Sequence, residues 1–368
     1  MGERRRIPWA VVLVLGVCSV TLFARKSDAL LNPQFWAEDG TVYFQGAREL
    51  GIRSLAALHD PGHVPYLVQR YIALVGDAVP VAFAPHFYAW TSFALTLAVC
   101  AFLALRFRRG WLLALAVALV PHDGEVFFTL ANLHWILALV LIALAIEDDP
   151  VTRAGRVVEL LVAAVLSLTG PFALLFLPLF LARFLQRSGR QSGLLLAVVG
   201  FCSGWSLGVL HPERTGGLLN PGDPGWLALL ESWPSIAVVT AAAIAVLACD
   251  WKCAASAYAG AVVWLAAVYA HRYAPSIPAS MGLLRYGYIP IVCLCWALVF
   301  AWERRAWLRP VCVMVASVTL AVTTFHFFAP PVPDLHWREA SRCIDGPLPC
   351  DVPINPAPWR ISYVPRSR

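Results

Sequence analysis

Eleven apolar runs, separated by short polar connections, restrict what this chain can fold into. Only 14% of its 368 residues are charged, whereas a soluble domain carries about a quarter. Several runs reach the roughly 17–25 residues that cross a bilayer as a helix. We therefore predict an all-α polytopic membrane protein with about eleven hydrophobic segments. They lie near residues 8–24, 86–106, 110–121, 127–146, 157–169, 171–185, 193–210, 231–250, 253–270, 286–302 and 306–327.

Some of these segments are expected to be broken or short. The third, fifth and sixth are too short for independent spans, and Pro121 and Gly170-Pro171 predict breaks at membrane depth. Irregular backbone is tolerated there when it lines a cavity within the protein. The first segment could be mistaken for a signal peptide, but Phe23-Ala24-Arg25-Lys26 is a poor cleavage site. We interpret it as a membrane anchor.

Basic residues predict the orientation. Arg and Lys cluster in alternate connections, and such clusters mark the cytoplasmic side. The N-terminus is therefore expected in the cytoplasm and the C-terminus in the periplasm of a bacterial inner (plasma) membrane. Residues 1–328 would form the transmembrane bundle, including a first periplasmic loop at 25–85, and residues 329–368 a short periplasmic tail. The basic clusters that predict this orientation are Arg4-Arg5-Arg6, Arg106/Arg108/Arg109, Arg153/Arg156, Arg183/Arg187/Arg190, Lys252 and Arg304/Arg305/Arg309.

The ten cysteines divide by location. Eight lie in or beside apolar runs, where cysteine behaves as a small hydrophobic residue. Cys343 and Cys350 lie in the polar, proline-rich tail. An oxidising compartment favours a disulfide between them, which would hold an otherwise structureless segment.

An acidic pair, Glu38-Asp39, opens the first outer loop between the aromatic residues Trp36 and Tyr43. Burial against helices or bilayer raises the pKa of a carboxyl group unless a cation compensates. The pair is therefore a candidate general base or metal ligand. The alternative is that Asp39 caps a short helix over residues 40–50 while Glu38 is solvated.

A second polar cluster lies in the short turn between the third and fourth segments. His122, Asp123 and Glu125 are placed at the membrane surface on the same side as Glu38-Asp39. The alternative is simple solvation, with a helix capped near Glu125. His134 should lie two or three turns below the surface, facing the bundle interior as ligand or as a satisfied core histidine.

Three arginines on the predicted outer side are candidate phosphate-binding groups. They are Arg70, Arg272 and Arg285, each beside a tyrosine. An arginine can bind a lipid phosphate through two parallel hydrogen bonds. It can equally extend towards generic headgroups.

Soluble-enzyme signatures are absent from the sequence. It has no Gly-rich phosphate loop, no His-Glu-x-x-His and no Gly-x-Ser-x-Gly. The inner loops are too short for a nucleotide-binding domain, so neither ATP nor a nucleotide sugar is expected as a direct substrate. A sugar donor available outside the membrane would have to be lipid-linked. The net charge of +6 lies in short clusters between apolar runs and does not indicate nucleic-acid binding.

These motifs resemble the GT-C superfamily of membrane glycosyltransferases. The resemblance rests on an acidic pair just after helix one and a second acidic motif in the turn between helices three and four. It covers the chain from Leu31 to about Pro290, and several stretches look like uncharacterised bacterial membrane proteins of this type. Those stretches are Phe35–Phe44, Tyr66–Arg70, Thr129–Trp135 and Leu168–Pro171.

The resemblance implies inverting transfer of a sugar from a polyprenyl-phosphate donor to a cell-envelope glycan or lipid acceptor on the periplasmic side. Asp39, favoured over Glu38, would be the general base. His122, Asp123, Glu125 and His134 would position the acceptor or a metal. Arg285, with Arg272 and Arg70, would neutralise the departing lipid phosphate.

The chain also departs from larger members of that superfamily. It has only some forty residues after the last segment, and its first motif lacks the spaced Asp-x-Asp of metal-dependent members. A divalent cation, Mg²⁺ or Mn²⁺, is therefore a candidate cofactor but not an obligatory one. Two other functions stay open: a transporter or flippase of a lipid-linked saccharide, and a non-enzymatic assembly protein of the envelope.

Overall fold

A computed structural model describes residues 9–57, 65–121, 124–209, 232–271 and 285–363. Within these ranges the chain is predominantly helical, and each of the eleven apolar runs coincides with a helix. The helices are α1 (Trp9–Arg25), α2 (Asp28–Leu31), α3 (Gln45–Leu50), α4 (Leu67–Gly76), α5 (Ala84–Arg106), α6 (Gly110–Leu119), α7 (Leu133–Ile146), α8 (Arg153–Ser167), α9 (Phe172–Arg187), α10 (Arg190–Val209), α11 (Trp233–Ala248), α12 (Trp251–His271), α13 (Arg285–Arg304), α14 (Arg309–Phe325) and α15 (Trp337–Ala340).

Membrane embedding is supported by the length and composition of these helices. Among the described residues, four stretches are long and apolar enough to cross a bilayer: Val81–Arg106, Trp251–Val268, Arg285–Arg304 and Ala306–Phe325. Several others, such as α6 and α7, are apolar but shorter. A ten-residue helix extends only about 15 Å, half the hydrocarbon core. The number of crossings therefore stays a prediction.

Connections between the long helices meet at two ends of the bundle. At one end, the connections after α5, α7, α9, α11 and α13 contact one another; we call this the Arg106 end. At the other end, the Glu38 end, the first loop meets the α6–α7 connection and the start of α13. The polar contacts at the Arg106 end are Arg106–Glu147, Arg109–Glu303 at 3.4 Å, Arg187–Asp148 at 3.1 Å and Arg305 Nε–Ala248 O at 3.1 Å.

The predicted break near Pro121 is longer than expected. Helix α6 ends at Leu119 and α7 begins only at Leu133, so no helix starts at Glu125 and its predicted cap is wrong. The Arg25 guanidinium donates to the carbonyls of Ala118 at 2.7 Å and Val120 at 2.9 Å. These donors satisfy carbonyl groups that the end of a helix leaves without partners.

Lys26 likewise donates hydrogen bonds to backbone carbonyl groups, in the segment that follows the break. Its ammonium group donates to the carbonyls of Gly124 at 2.7 Å and Phe127 at 3.1 Å. The irregular segment 124–132 is therefore supplied with hydrogen-bond donors from the end of α1, which lets its backbone be buried without a helix.

The tail is ordered, so the expectation of a structureless segment is wrong. It contains α15, the 3₁₀ turn Ser341–Asp345 and an antiparallel pair of strands, β1 (Cys350–Pro353) and β2 (Arg360–Tyr363). A disulfide joins Cys343 and Cys350.

The tail packs directly on the first loop. Ala37 N–H donates to the carbonyl of Asn355 at 2.5 Å, and Asn355 N–H donates to the carbonyl of Phe35 at 3.1 Å. The Trp337 ring lies 4.7 Å from that of Phe35, and its Nε1 donates to the carbonyl of Val81 at 2.9 Å. First loop and tail therefore form one layer at the Glu38 end.

Candidate active site

The acidic pair enters a tight helical turn pressed against the tail. Asp39 begins a π-helix, Asp39–Phe44, that continues into α3. A Cβ atom on Gly40 would come within 2.7 Å of Ile354 Cδ1 and 2.9 Å of Ile361 Cδ1. The tail therefore packs tightly against this turn, and a side chain at position 40 would require Ile354 and Ile361 to move.

Asp39 faces inward and is only 2% exposed. Its Oδ1 accepts a hydrogen bond from the backbone N–H of Ala131 at 2.6 Å. Burial raises the pKa of Asp39 to about 7, with this hydrogen bond and Lys26 opposing the shift. The capping alternative is wrong: the carboxylate holds the irregular segment before α7 instead of capping its own helix.

Glu38, by contrast, is partly exposed and lines a cavity of about 340 Å³. Asp39 is not among the residues that line this cavity. The structure therefore places Glu38, and not the favoured Asp39, where a bound molecule would meet a carboxylate.

Aromatic rings form much of the cavity wall. Trp135 lies 5.0 Å from Phe172 and 5.5 Å from Tyr286, and Tyr66 lies 5.2 Å from His134, between ring centroids. Small-molecule sites are typically concave and apolar with a few polar groups that fix orientation. The polar and aromatic side chains that line it are Glu38, Tyr43, Tyr66, Asn132, His134, Trp135, Phe172, Arg285 and Tyr286.

Arg285, at the start of α13, supplies the cation of this cavity. Its Nη1 lies 3.0 Å from Glu125 Oε1, and its Nη2 donates to the Tyr286 hydroxyl at 3.1 Å. Two fixed contacts orient the planar guanidinium, which remains 28% exposed. Glu125 therefore acts in the structure as the partner of Arg285.

His134 lies in the first turn of α7, because that helix starts later than predicted. Its Nδ1 lies 2.7 Å from the carbonyl of Ala131; since a carbonyl only accepts, Nδ1 carries the proton and donates. In the neutral ring, Nε2 is then an acceptor. A Cβ atom on Gly170 would come within 3.3 Å of His134 Cβ, so the second predicted break packs closely against this histidine.

The remaining candidates do not join the cavity. Arg70 is 3% exposed, its Nε donates to the carbonyl of Pro65 at 2.9 Å, and it does not line the cavity. The expected phosphate role of Arg70 therefore has no support. His122, Asp123 and Arg272 lie outside the described residues.

Apart from Glu38, His134 and Arg285, the residues that line the cavity were not predicted as site residues. Tyr43 follows the acidic pair by one helical turn, and Phe172 directly follows Gly170-Pro171. The position of Phe172 next to a predicted break at membrane depth was the feature of the sequence that could have indicated its place in the cavity wall.

The acidic groups of the described part of the chain do not converge as metal ligands. Within it, no cluster of three or more His, Cys, Asp or Glu side chains could hold a metal ion. Asp39 accepts from Ala131, and Glu125 pairs with Arg285. Comparison with known proteins adds no identity, since no family model, curated protein or solved structure matches the chain.

Proposed function

We propose that this protein is a membrane glycosyltransferase that moves a sugar from a polyprenyl-phosphate donor to a cell-envelope glycan or lipid. One observation carries the proposal: Glu38 and Arg285 line the same aromatic-walled cavity. A carboxylate and a guanidinium are the two groups that such a transfer needs, one to accept a proton and one to meet a phosphate.

The reaction follows from these two groups. The Glu38 carboxylate takes the proton of an acceptor hydroxyl as its oxygen attacks the anomeric carbon of the sugar. The bond between that carbon and the phosphate oxygen breaks, and its electron pair leaves with the lipid phosphate. Arg285 stabilises the charge that develops there. A single displacement inverts the anomeric centre.

The other cavity residues orient the reactants. The Nε2 of His134 accepts a hydrogen bond when the ring is neutral. The Tyr66 hydroxyl lies close enough to Glu38 for the carboxylate to raise the pKa of Tyr66. Burial, then Glu38, raises the pKa of Tyr66 to about 12, while Arg285 opposes the shift. Tyr66 therefore stays protonated and serves as a hydrogen-bond donor. Asp39 is a positioning residue, since it holds the segment that carries Asn132 and His134.

The proposed orientation places the cavity in the periplasm. Basic connections meet at the Arg106 end, and basic loops stay in the cytoplasm. The Glu38 end would then face the compartment in which a translocated lipid-linked sugar is available.

A set of variants tests the proposal in cells and in membranes. Glu38→Gln should lower transfer by about 10²–10⁴-fold, the usual contribution of a general base. Asp39→Asn and Asp123→Asn are tested beside it. Glu49→Gln is the matched control, because Glu49 lies on α3, pairs with Gln45 at 2.7 Å and does not line the cavity.

The readout is the sugar composition of the envelope, together with the location of lipid-linked intermediates. Unchanged composition in Glu38→Gln, when deletion of the protein alters it, would contradict the transferase. Accumulation of a lipid-linked saccharide on the cytoplasmic face would instead indicate a flippase.

A further inference from the structure

Two adjoining cavities lie at and below the Arg106 end, far along the bundle from Glu38. The first is polar, with a volume of about 360 Å³, and the second is an apolar groove of about 540 Å³. Arg109 and Val299 line both. A polar cavity and an apolar groove therefore adjoin at these two residues.

Two basic side chains of the polar cavity are left outside its ion pairs. Its four acidic groups all have basic partners: Glu147 pairs with Arg106, Glu303 with Arg109, and both Asp148 and Asp149 with arginines of α9. Two of its cations, Arg108 and Lys252, have no carboxylate partner in the part of the chain that the structure describes.

Lys252 is held in place although it lacks an acidic partner. Its Nζ lies 5.7 Å from the centroid of the Phe107 ring, in the turn that carries Arg108. Phe107 in turn packs against Phe300 of α13, with ring centroids 6.0 Å apart. Both cations line the polar cavity from neighbouring elements, and each can donate charge-assisted hydrogen bonds to a phosphate.

The apolar groove runs between α6, α13 and α14. Its wall includes Leu115, Leu298, Trp302 and Val313, and it extends from Arg109 to Thr323 near the other end of α14. Helices α13 and α14 lie in two of the stretches that are long and apolar enough to cross a membrane. An open apolar groove on such helices faces hydrocarbon chains.

We infer that these two cavities form a binding site for one anionic membrane phospholipid, with its phosphate at Arg108 and Lys252 and an acyl chain along the groove between α6 and α14. The two cations without a side-chain ion pair favour an anionic headgroup over a zwitterionic one. The site is separate from the Glu38 cavity, and the inference does not depend on the proposed function.

The test uses the full chain, purified in detergent, with native mass spectrometry of bound lipid. Phosphatidylglycerol, phosphatidylcholine and soluble glycerophosphate are the probes. Arg108→Gln/Lys252→Gln should weaken retention of phosphatidylglycerol by about tenfold or more, given the usual contribution of a basic residue near an anionic headgroup. Arg153→Gln/Arg304→Gln removes the same charge from exposed positions outside the cavity and should change retention by less than about twofold.

Equal loss in both double variants would show general surface attraction and overturn the inference. Equal retention of phosphatidylcholine, or displacement of the lipid by glycerophosphate, would also overturn it. The wild-type chain supplies a measurement that does not depend on variant folding. A phosphatidylglycerol with a photoreactive acyl chain should label peptides of α6, α13 or α14, and labelling elsewhere alone would contradict the site.

Discussion

The carboxylate of Asp39 and the backbone N–H of Ala131 are joined by a 2.6 Å hydrogen bond across 92 residues of sequence. The bond ties the first loop to the irregular segment before α7. Since Glu38 precedes Asp39, and Asn132 and His134 follow Ala131, one contact fixes both sides of the cavity.

The burial of Asp39 predicts a stability that depends on pH. The pKa of Asp39 is raised from 3.8 to about 7 by burial, so the folded protein binds this proton more tightly than the unfolded chain. Asp39 therefore favours folding at low pH, and this contribution is lost as the pH rises from about 4 to about 7. Asp39→Asn, which does not titrate, should lack this fall in melting temperature, as measured by scanning fluorimetry in detergent.

Glu339→Gln is the control, since Glu339 is exposed on the tail. Its melting temperature should follow that of the wild type at every pH. A wild-type profile that stays parallel to that of Asp39→Asn between pH 4 and 8 would contradict the raised pKa.

Replacing Arg25 should destabilise the break after α6. Arg25→Gln removes donors from the carbonyls of Ala118 and Val120, and each buried carbonyl left without a partner costs about 1–3 kcal/mol. We expect a clear fall in melting temperature. Arg153→Gln, an exposed substitution at the start of α8, should stay within about 0.5 kcal/mol of the wild type; similar losses in both would argue against this role of Arg25.

A buried ion cluster at the Arg106 end predicts a large loss on removal of its cation. Arg183 is fully buried and contacts Asp149 at 2.6 Å and Glu159 at 3.0 Å. Arg183→Met would leave Glu159 charged and buried without its cation, a change that costs about 3–5 kcal/mol. Chemical or thermal unfolding in detergent measures it.

Arg360→Met serves as the comparison, because its ion pair with Asp351 on the tail is exposed on both sides and such pairs contribute at most about 1 kcal/mol. The double variant Arg183→Met/Glu159→Leu should recover part of the stability lost by Arg183→Met. Failure to recover any of it would show that the loss comes from packing and not from the uncompensated charge.

Trp337 should hold the tail on the first loop. Trp337→Ala removes the ring contact with Phe35 and the hydrogen bond to Val81, a truncation that costs about 3–5 kcal/mol in a packed core. We expect the tail to become sensitive to limited proteolysis. Trp359→Ala changes an exposed tryptophan of the same tail and should leave the digestion pattern unchanged; equal cleavage in both variants would contradict the anchoring role.

The helical segments were predictable because hydropathy is a local property. Each apolar run became a helix, and the breaks at Pro121 and Gly170-Pro171 were visible as residues that interrupt helical hydrogen bonding. The grouping of basic connections at one end also followed from their alternation along the chain.

The contents of the site depended on contacts that the sequence does not encode locally. Glu38 and Asp39 are adjacent carboxylates with similar intrinsic chemistry, yet one faces a cavity and the other is buried against Ala131. Their different environments arise from where the turn Asp39–Phe44 rests on the tail and on the break before α7. For the same reason the sequence did not indicate that Arg70 is buried, with its Nε donating to the carbonyl of Pro65.

What the sequence alone determined is a predominantly helical chain with apolar helices consistent with a membrane protein, interrupted near Pro121 and Gly170-Pro171. What only the tertiary structure decided is which of those side chains share a cavity. Hydrophobic periodicity reports the surroundings of a helix over a few turns, whereas the presence of Glu38 and Arg285 in the wall of one cavity requires packing between segments nearly 250 residues apart.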